Sequence, residues 1–418
     1  MTRVVVTGIG VVAPSGVGTE RHWASLLRGE QRARVVQEFA DAGYPTVLGA
    51  RVPDFEPAEH VDERLLVQTD RWTWHSLAAA AMALRDAGYD PAEHDPYRTS
   101  VFLASGSGGN EFGQREIEAL WSRGRKAVGA YQSIAWFYAA STGQTSIRHG
   151  IKGASASVVT EAAGGLDSIG WARRAMRRGS TAALVGGTEA GLSPYAVVCQ
   201  ATGGQLSTAR SPELGYRPFD ADAAGHVPGE GGAVLLIEDA DTATARGAAG
   251  VHGEIIGYAA THDAHHHERS APDARHFAAA IRGALADAGV RPEEIDLVVA
   301  DGAGTLERDA LEVAALREAL GGHAERVPVT APQGFTGRLM AGGSALSVVT
   351  ALLSIRDGVI PAVGNLVHPA PGYGLDFVVG APRHAPVRTV LVNARGHGGF
   401  NAALVVRAAD TASARAAA

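Results

Sequence analysis

The chain has one cysteine, Cys199, in 418 residues. No internal disulfide is possible, and the natural compartment is a reducing cytoplasm. Long apolar runs are also missing. None approaches the ~18 residues of a membrane span, and the apolar run at the N-terminus is too short for a signal peptide. Positive charge is not in excess either. The formal net charge is -7, so nucleic acid has no electrostatic support as a partner. What is present is ordinary hydrophobic content, enough for a large core, and 53 glycines. Small residues suit helices packed closely on sheets. The length suggests two or three structural units.

Strand-like runs recur at 4–7, 100–104, 155–160, 182–185, 233–237, 253–258, 297–300, 327–330, 389–392 and 402–406. Helix-like runs alternate with them at 71–87, 166–178, 276–288, 309–320 and 346–356, and each stops at a glycine. The alternation predicts an α/β fold in layers. A coarse echo between the two parts of the chain suggests related halves. The segment 193–230, rich in Pro and Gly, reads as a long functional loop.

Several motifs have bland readings. Gly8-x-Gly10-x-x-Ala13 fits a dinucleotide pattern, but Pro14, Gly16 and Gly18 interrupt the helix that should follow, so a tight turn is expected. The run 262–267 (His-Asp-Ala-His-His-His) lacks metal-ligand spacing and reads as a solvated loop. Cys199 lies in an apolar run and is expected in the core. Arg173, Arg174, Arg177 and Arg178 end a helix, where cations complement its dipole on a solvated face.

The stretch 155–167 says more. A β-prone run ends at Thr160 and a helix begins near Gly164. A strand that turns sharply into a helix presents its corner residue to a ligand. The helix N-terminus behind it stabilises negative charge and activates a thiol. Here the corner residue is Ala162. Three glycine-rich turns at strand ends, 301–305, 333–338 and 393–401, complete the outline of a site.

In this order the segments resemble the thiolase-fold β-ketoacyl synthases over nearly the whole chain. The resemblance is carried by Val6, Thr7, Gly8, Ile9 and Gly10, by 160–167, by Pro218, Phe219 and Asp220, by Gly229, Glu230 and Gly231, by 301–305, by Gly337 and Arg338, and by 396–401. It implies two related βαβαβαββ halves in an α-β-α-β-α arrangement: 1–250 with the 193–230 insertion, and 251–408; the Ala-rich composition of 409–418 predicts a disordered tail. Such enzymes use a corner cysteine, two histidines and a lysine. This chain has Ala162, Asp301, Arg338 and Gln333 at those positions, and Gly396, His397, Gly398 where active synthases have Gly-Phe-Gly. With no thiolate there is no acyl-enzyme. With no imidazoles there are no donors for an enolate. Asp301 and Arg338 are placed to pair.

That substitution set resembles the chain length factor, or ketosynthase β, group of bacterial type II polyketide synthases. So do 109–116, 161–167, 336–339 and 394–401. The group commonly has Gln at the Ala162 position. The resemblance implies a heterodimer with a catalytic ketosynthase α subunit, fed by an acyl carrier protein whose phosphopantetheine carries the acyl chain. It implies neither a cofactor nor a metal of the chain's own. The chain would be non-catalytic and would shape the polyketide tunnel during decarboxylative Claisen condensation of malonyl units. The gate positions carried over are Asn110, Gly113, Ile117 and Ile134. The first three share one helical face, and their small size implies a roomy tunnel and a long product. Two alternatives stay open here: an enzyme in its own right (a malonyl decarboxylase for priming, or a stand-alone synthase), and a purely structural homodimer.

Overall fold

The computed structural model describes residues 2–266 and 269–409. Ten strands form its centre. In the first half they are β1 (Val4–Ala13), β2 (Thr99–Ala104), β3 (Ser155–Val158), β4 (Ala182–Ala190) and β5 (Glu230–Asp239). In the second half they are β6 (Gly253–His262), β7 (Leu297–Val299), β8 (Pro328–Thr330), β9 (Thr389–Arg395) and β10 (Phe400–Arg407). The spatial order is β3-β2-β4-β5-β1 followed by β6-β10-β9-β7-β8. The second half repeats the first in mirror order. In each half the second strand is parallel to the third and fourth, and the fourth, fifth and first alternate in direction. The halves join through a short pairing of β1 with β6, Val5 to Glu254 and Val6 to Gly253.

Alternation along the strands builds the layers, because successive side chains point to opposite faces. Leu184, Val234 and Leu236 face outward onto one apolar cluster with helix α1 (Arg71–Asp86). Their neighbours Val185, Leu235 and Ile237 face a central cluster. In the second half Val298, Leu391 and Val405 face outward, towards α6 (Arg275–Ala288) and α7 (Leu306–Leu320). Leu297, Val390 and Leu404 face the same central cluster. Between the sheets lie α4 (Gly164–Met176) and α8 (Met340–Asp357). Helix α8 is buried nearly all round, as a helix between two sheets must be. Further helices are α2 (Asn110–Arg123), α3 (Ala140–His149) and α5 (Pro194–Thr202).

Some expectations change. Gly8 and Gly10 are not a turn. The strand runs through them, with a register shift between Val6 and Gly8. Their missing side chains let α1 lie against the strand: a β-carbon at Gly10 would sit 1.9 Å from the carbonyl oxygen of Ala79. The 193–230 segment is not all loop, since α5 starts at Pro194 with Ser193 capping it. Cys199 is on the exposed side of that helix, not in the core. Arg173 is not solvated; it packs 2.5 Å from Asp287. His262 ends β6 with its ring edge against Phe400. His267 and tail residues 410–418 lie outside the described residues. Among the described residues no His, Cys, Asp and Glu cluster is placed to hold a metal, and no helix is long and apolar enough to cross a membrane.

Replacing Gly10 with Ala forces a β-carbon into backbone that cannot move aside. Chemical denaturation of Gly10→Ala is expected to show a loss of about 3 kcal/mol; a loss within error would show that α1 can shift.

Candidate functional site

Strand β3 ends at Val158, a tight 3-10 turn spans Glu161–Ala163, and α4 begins at Gly164. The corner is therefore present, with Ala162 buried at its tip. Glu161 has a left-handed backbone, φ +50°, which is strained for a residue with a side chain. It is held there by its carboxylate, which accepts the His397 N–H at 2.7 Å. The turn after β9 lies against the corner so closely that a β-carbon at Gly396 would be 2.5 Å from the Thr160 carbonyl oxygen. Behind the corner, Asp167 accepts from Thr160 Oγ1 at 2.5 Å and from Tyr258 OH at 2.7 Å.

The structure brings Ala162, Asp301, Gln333 and Arg338 together. With Tyr216 and Asn393 they line a cavity of about 20 Å³, room for a single water. Asp301 and Arg338 pair: Arg338 Nη2 lies 3.2 Å from both carboxylate oxygens. Both side chains are buried. Burial is the largest influence and would lower the Arg338 pKa, but Asp301, Tyr216 and Glu161 together outweigh it and the guanidinium is held above its usual range. Arg338 Nη2 and Arg308 Nη2 also donate to the Arg395 carbonyl, at 3.1 and 2.7 Å. The Arg395 N–H returns a bond to Asp301 Oδ1 at 3.1 Å. Gln333 Nε2 donates to the carbonyls of Ala300 and Asp301.

Sequence reasoning missed the second rank of this network. Glu312 on α7 accepts the N–H groups of Asp301 and Gly302, each at 2.9 Å. Burial first, then the charge of Asp301, pushes its carboxyl up to about 7. Asp309, one turn earlier, accepts from Phe219 and Gly304 N–H groups, and burial pushes it up to about 7. Arg395 pairs with Asp263 at 2.7 Å, both buried. Acidic residues at 309 and 312 on an otherwise core-facing helix were the available signal. The network ties the turns after β7 and β9 into one charged block where a substrate's reacting carbonyl would need to sit.

A second pocket, about 600 Å³, opens beside this block. Its walls include Asn110, Tyr138, Glu161, Tyr195, Cys199 and His397, and Met340 lines both cavities. Of the four gate positions only Asn110 reaches this wall. Gly113 opens no space, because a β-carbon there would be 2.8 Å from Trp136 Cδ1. The indole fills the volume that the glycine releases, so the expected extra room is absent at that position. Ile117 and Ile134 lie on the surface, 47% and 37% exposed. Trp121 of α2 and Trp136 and Phe137 of the segment at 134–137 are exposed as well.

Comparison with known proteins places this geometry. Residues 1–243 match the β-ketoacyl synthase N-terminal domain and residues 252–367 its C-terminal domain. The chain belongs to the β-ketoacyl synthase family. It is 53% identical over 406 residues to the tetracenomycin polyketide synthase ketoacyl synthase β subunit of Streptomyces glaucescens, covering 97% of this chain and 98% of that one. It is 46% identical to the actinorhodin polyketide putative β-ketoacyl synthase 2 of Streptomyces coelicolor, covering 97% and 98%. Among solved structures it resembles the ishigamide ketosynthase/chain length factor, with a TM-score of 0.91, 30% identity and coverage of 98% and 100%. A type II polyketide synthase acyl-carrier protein in complex with its ketosynthase bound to the hexaketide matches with a TM-score of 0.90, 26% identity and coverage of 98% and 100%. Within the family the chain groups with the ketosynthase β subunits, or chain length factors, of type II polyketide synthases.

Two measurements test the charged block. Asp301→Asn leaves Arg338 buried without its counter-charge, and is expected to lower stability by about 3–5 kcal/mol; a loss below ~1 kcal/mol would mean the pair is dispensable. Glu312 has a raised carboxyl pKa, so its contribution is full below the ordinary glutamate value and is lost as pH rises through about 7. The melting temperature of Glu312→Gln relative to the unsubstituted chain should therefore rise between about pH 5 and pH 8. A difference independent of pH would contradict the assignment.

Proposed function

We propose that the chain is the non-catalytic, length-setting member of a ketosynthase heterodimer that extends malonyl units on an acyl carrier protein. The observation that carries this reading is the corner itself. Ala162 offers a methyl group where acyl transfer needs a nucleophile, and the Asp301–Arg338 pair stands where an enolate would need neutral donors. The catalytic α subunit supplies the thiol and the imidazoles. Malonyl loses carbon dioxide there, and the enolate attacks the acyl thioester held by that subunit, forming the new carbon–carbon bond as the C–S bond breaks and the subunit's thiol is released.

The exposed apolar side chains of α2 and residues 134–137 support a large contact with that partner. Exposed Trp121, Trp136 and Phe137 on these two segments are costly in water and typical of an interface core. The 600 Å³ pocket beside Asn110 supplies the wall that this chain adds to the tunnel. A dry tunnel also protects a reactive poly-β-ketone from side reactions. Length is then set sterically, by the side chains that end the space available to the growing chain. The small side chain of Asn110 fits a long product; Gly113 contributes nothing because Trp136 fills its place, and Ile117 lies outside the pocket. A decarboxylase reading has less support, because Arg338, the cation beside Ala162, is already paired with Asp301, and the cavity of about 20 Å³ has no room for a malonyl group.

Asn110→Trp in the reconstituted heterodimer is expected to shorten the products by at least one two-carbon unit with condensation retained. Mass spectrometry of the released polyketides reads this out; an unchanged length distribution would count against the gate.

A further inference from the structure

Helix α2 carries the gate residue Asn110 at its first position, yet packing does little to hold it. Only Phe112, Gly113 and Ala119 of its residues are buried. Its start is instead tied down by two carboxylates that the chemistry of the corner does not use. Glu189, near the end of β4, is 1% exposed. It accepts from Ser105 Oγ at 3.1 Å, Ser107 Oγ at 2.6 Å, the Ser107 N–H at 3.3 Å and the Gly106 N–H. These residues form the turn that leads into α2, and Gly106 and Ser107 line the large pocket with Asn110. Asp70 precedes α1 but does not cap it. Its carboxylate turns to α2 and accepts the Phe112 N–H at 2.7 Å. Burial pushes Glu189 up to about 7 and Asp70 up to about 6.

Burying an acid is unfavourable unless its bonds compensate. Here two are buried against the same helix start, where unpaired N–H groups and the helix dipole favour negative charge. Further along, the helix is tied by Gln114 Oε1, which accepts the Tyr195 N–H at 2.8 Å, and by Glu116, which accepts the Gly129 N–H, but neither bond is at its first turn. The carboxylates therefore fix how far Asn110 stands from the pocket.

We propose that Glu189 and Asp70 are positioning residues for product length, holding the first turn of the gate helix against the tunnel wall. This rests on the tunnel reading above. A glutamine at 189 keeps the shape but has one acceptor oxygen for four converging donors, so the turn loses its fixed seat.

The test uses the reconstituted heterodimer with malonyl-loaded carrier protein, and reads product lengths by mass spectrometry. Glu189→Gln and Asp70→Asn are each expected to raise the share of off-length products about tenfold, equivalent to about 1.4 kcal/mol of lost positioning. Should Glu189→Gln not fold, Ser107→Ala removes a single donor and should shift the distribution in the same direction by a smaller factor. Glu238→Gln is the control for general loosening. Glu238 is a buried carboxylate bonded to Thr7 and Arg246 at the opposite end of the β4–β5 ladder, and its loss should lower the melting temperature without changing product length. Three results overturn the proposal. In the first, Asn110→Trp changes the length while the Glu189, Ser107 and Asp70 variants do not, and the positioning role alone fails. In the second, none of them changes it, and the tunnel reading fails as well. In the third, Glu238→Gln broadens the products equally, and the effect is mere loss of stability.

Discussion

The buried Asp301–Arg338 ion pair organises the site. Asp301 and Arg338 come from the turns after β7 and before α8, and both are sealed from water. Two buried charges are tolerated only when each also has its hydrogen bonds made, and the surrounding groups make them. Glu312 clasps the backbone of Asp301, Arg395 donates to its carboxylate, and Arg338 shares the Arg395 carbonyl with Arg308. Once these bonds are formed, little space is left at Ala162. The pocket is not an enzyme site with one group missing; it has been rebuilt as a salt-bridged block.

The repeated topology explains why the block sits where it does. Each half ends its parallel strands at the centre of the molecule, beside α4 or α8. Strand ends and helix starts from both halves therefore converge on one place, as ligand sites in α/β sheets do. In a condensing enzyme that convergence would hold reacting groups. Here it holds counter-charges, and the larger open space lies beside it, in the pocket lined by Asn110.

Much of this was readable from the sequence. All ten strand-like runs are strands of the central sheet, because short apolar, β-branched runs bounded by turn residues leave a strong signal. The corner at Ala162 and the pairing of Asp301 with Arg338 were also visible, since they replace residues in a recognisable frame. Other features were not. Gly8 and Gly10 looked like a turn because their reason lies in the carbonyls of a helix seventy residues away. Pro194 looked like loop punctuation, although Ser193 before it is a helix-start signal. Cys199 sits in an apolar run whose outer face is exposed. Glu189, Asp70 and Glu312 were missed because their partners are backbone N–H groups that come close only in the folded chain. The one hint for Glu189 was a lone acid in a strand whose other residues are small or apolar.

The most direct test of the central claim is the intact mass of each subunit after the heterodimer turns over malonyl-loaded carrier protein. The experiment is best done with Cys199→Ser, which removes the only exposed thiol of this chain. The account predicts acyl mass on the catalytic partner alone, with this chain unmodified throughout. A covalent acyl adduct on this chain, or elongation by it without the partner, would contradict the account.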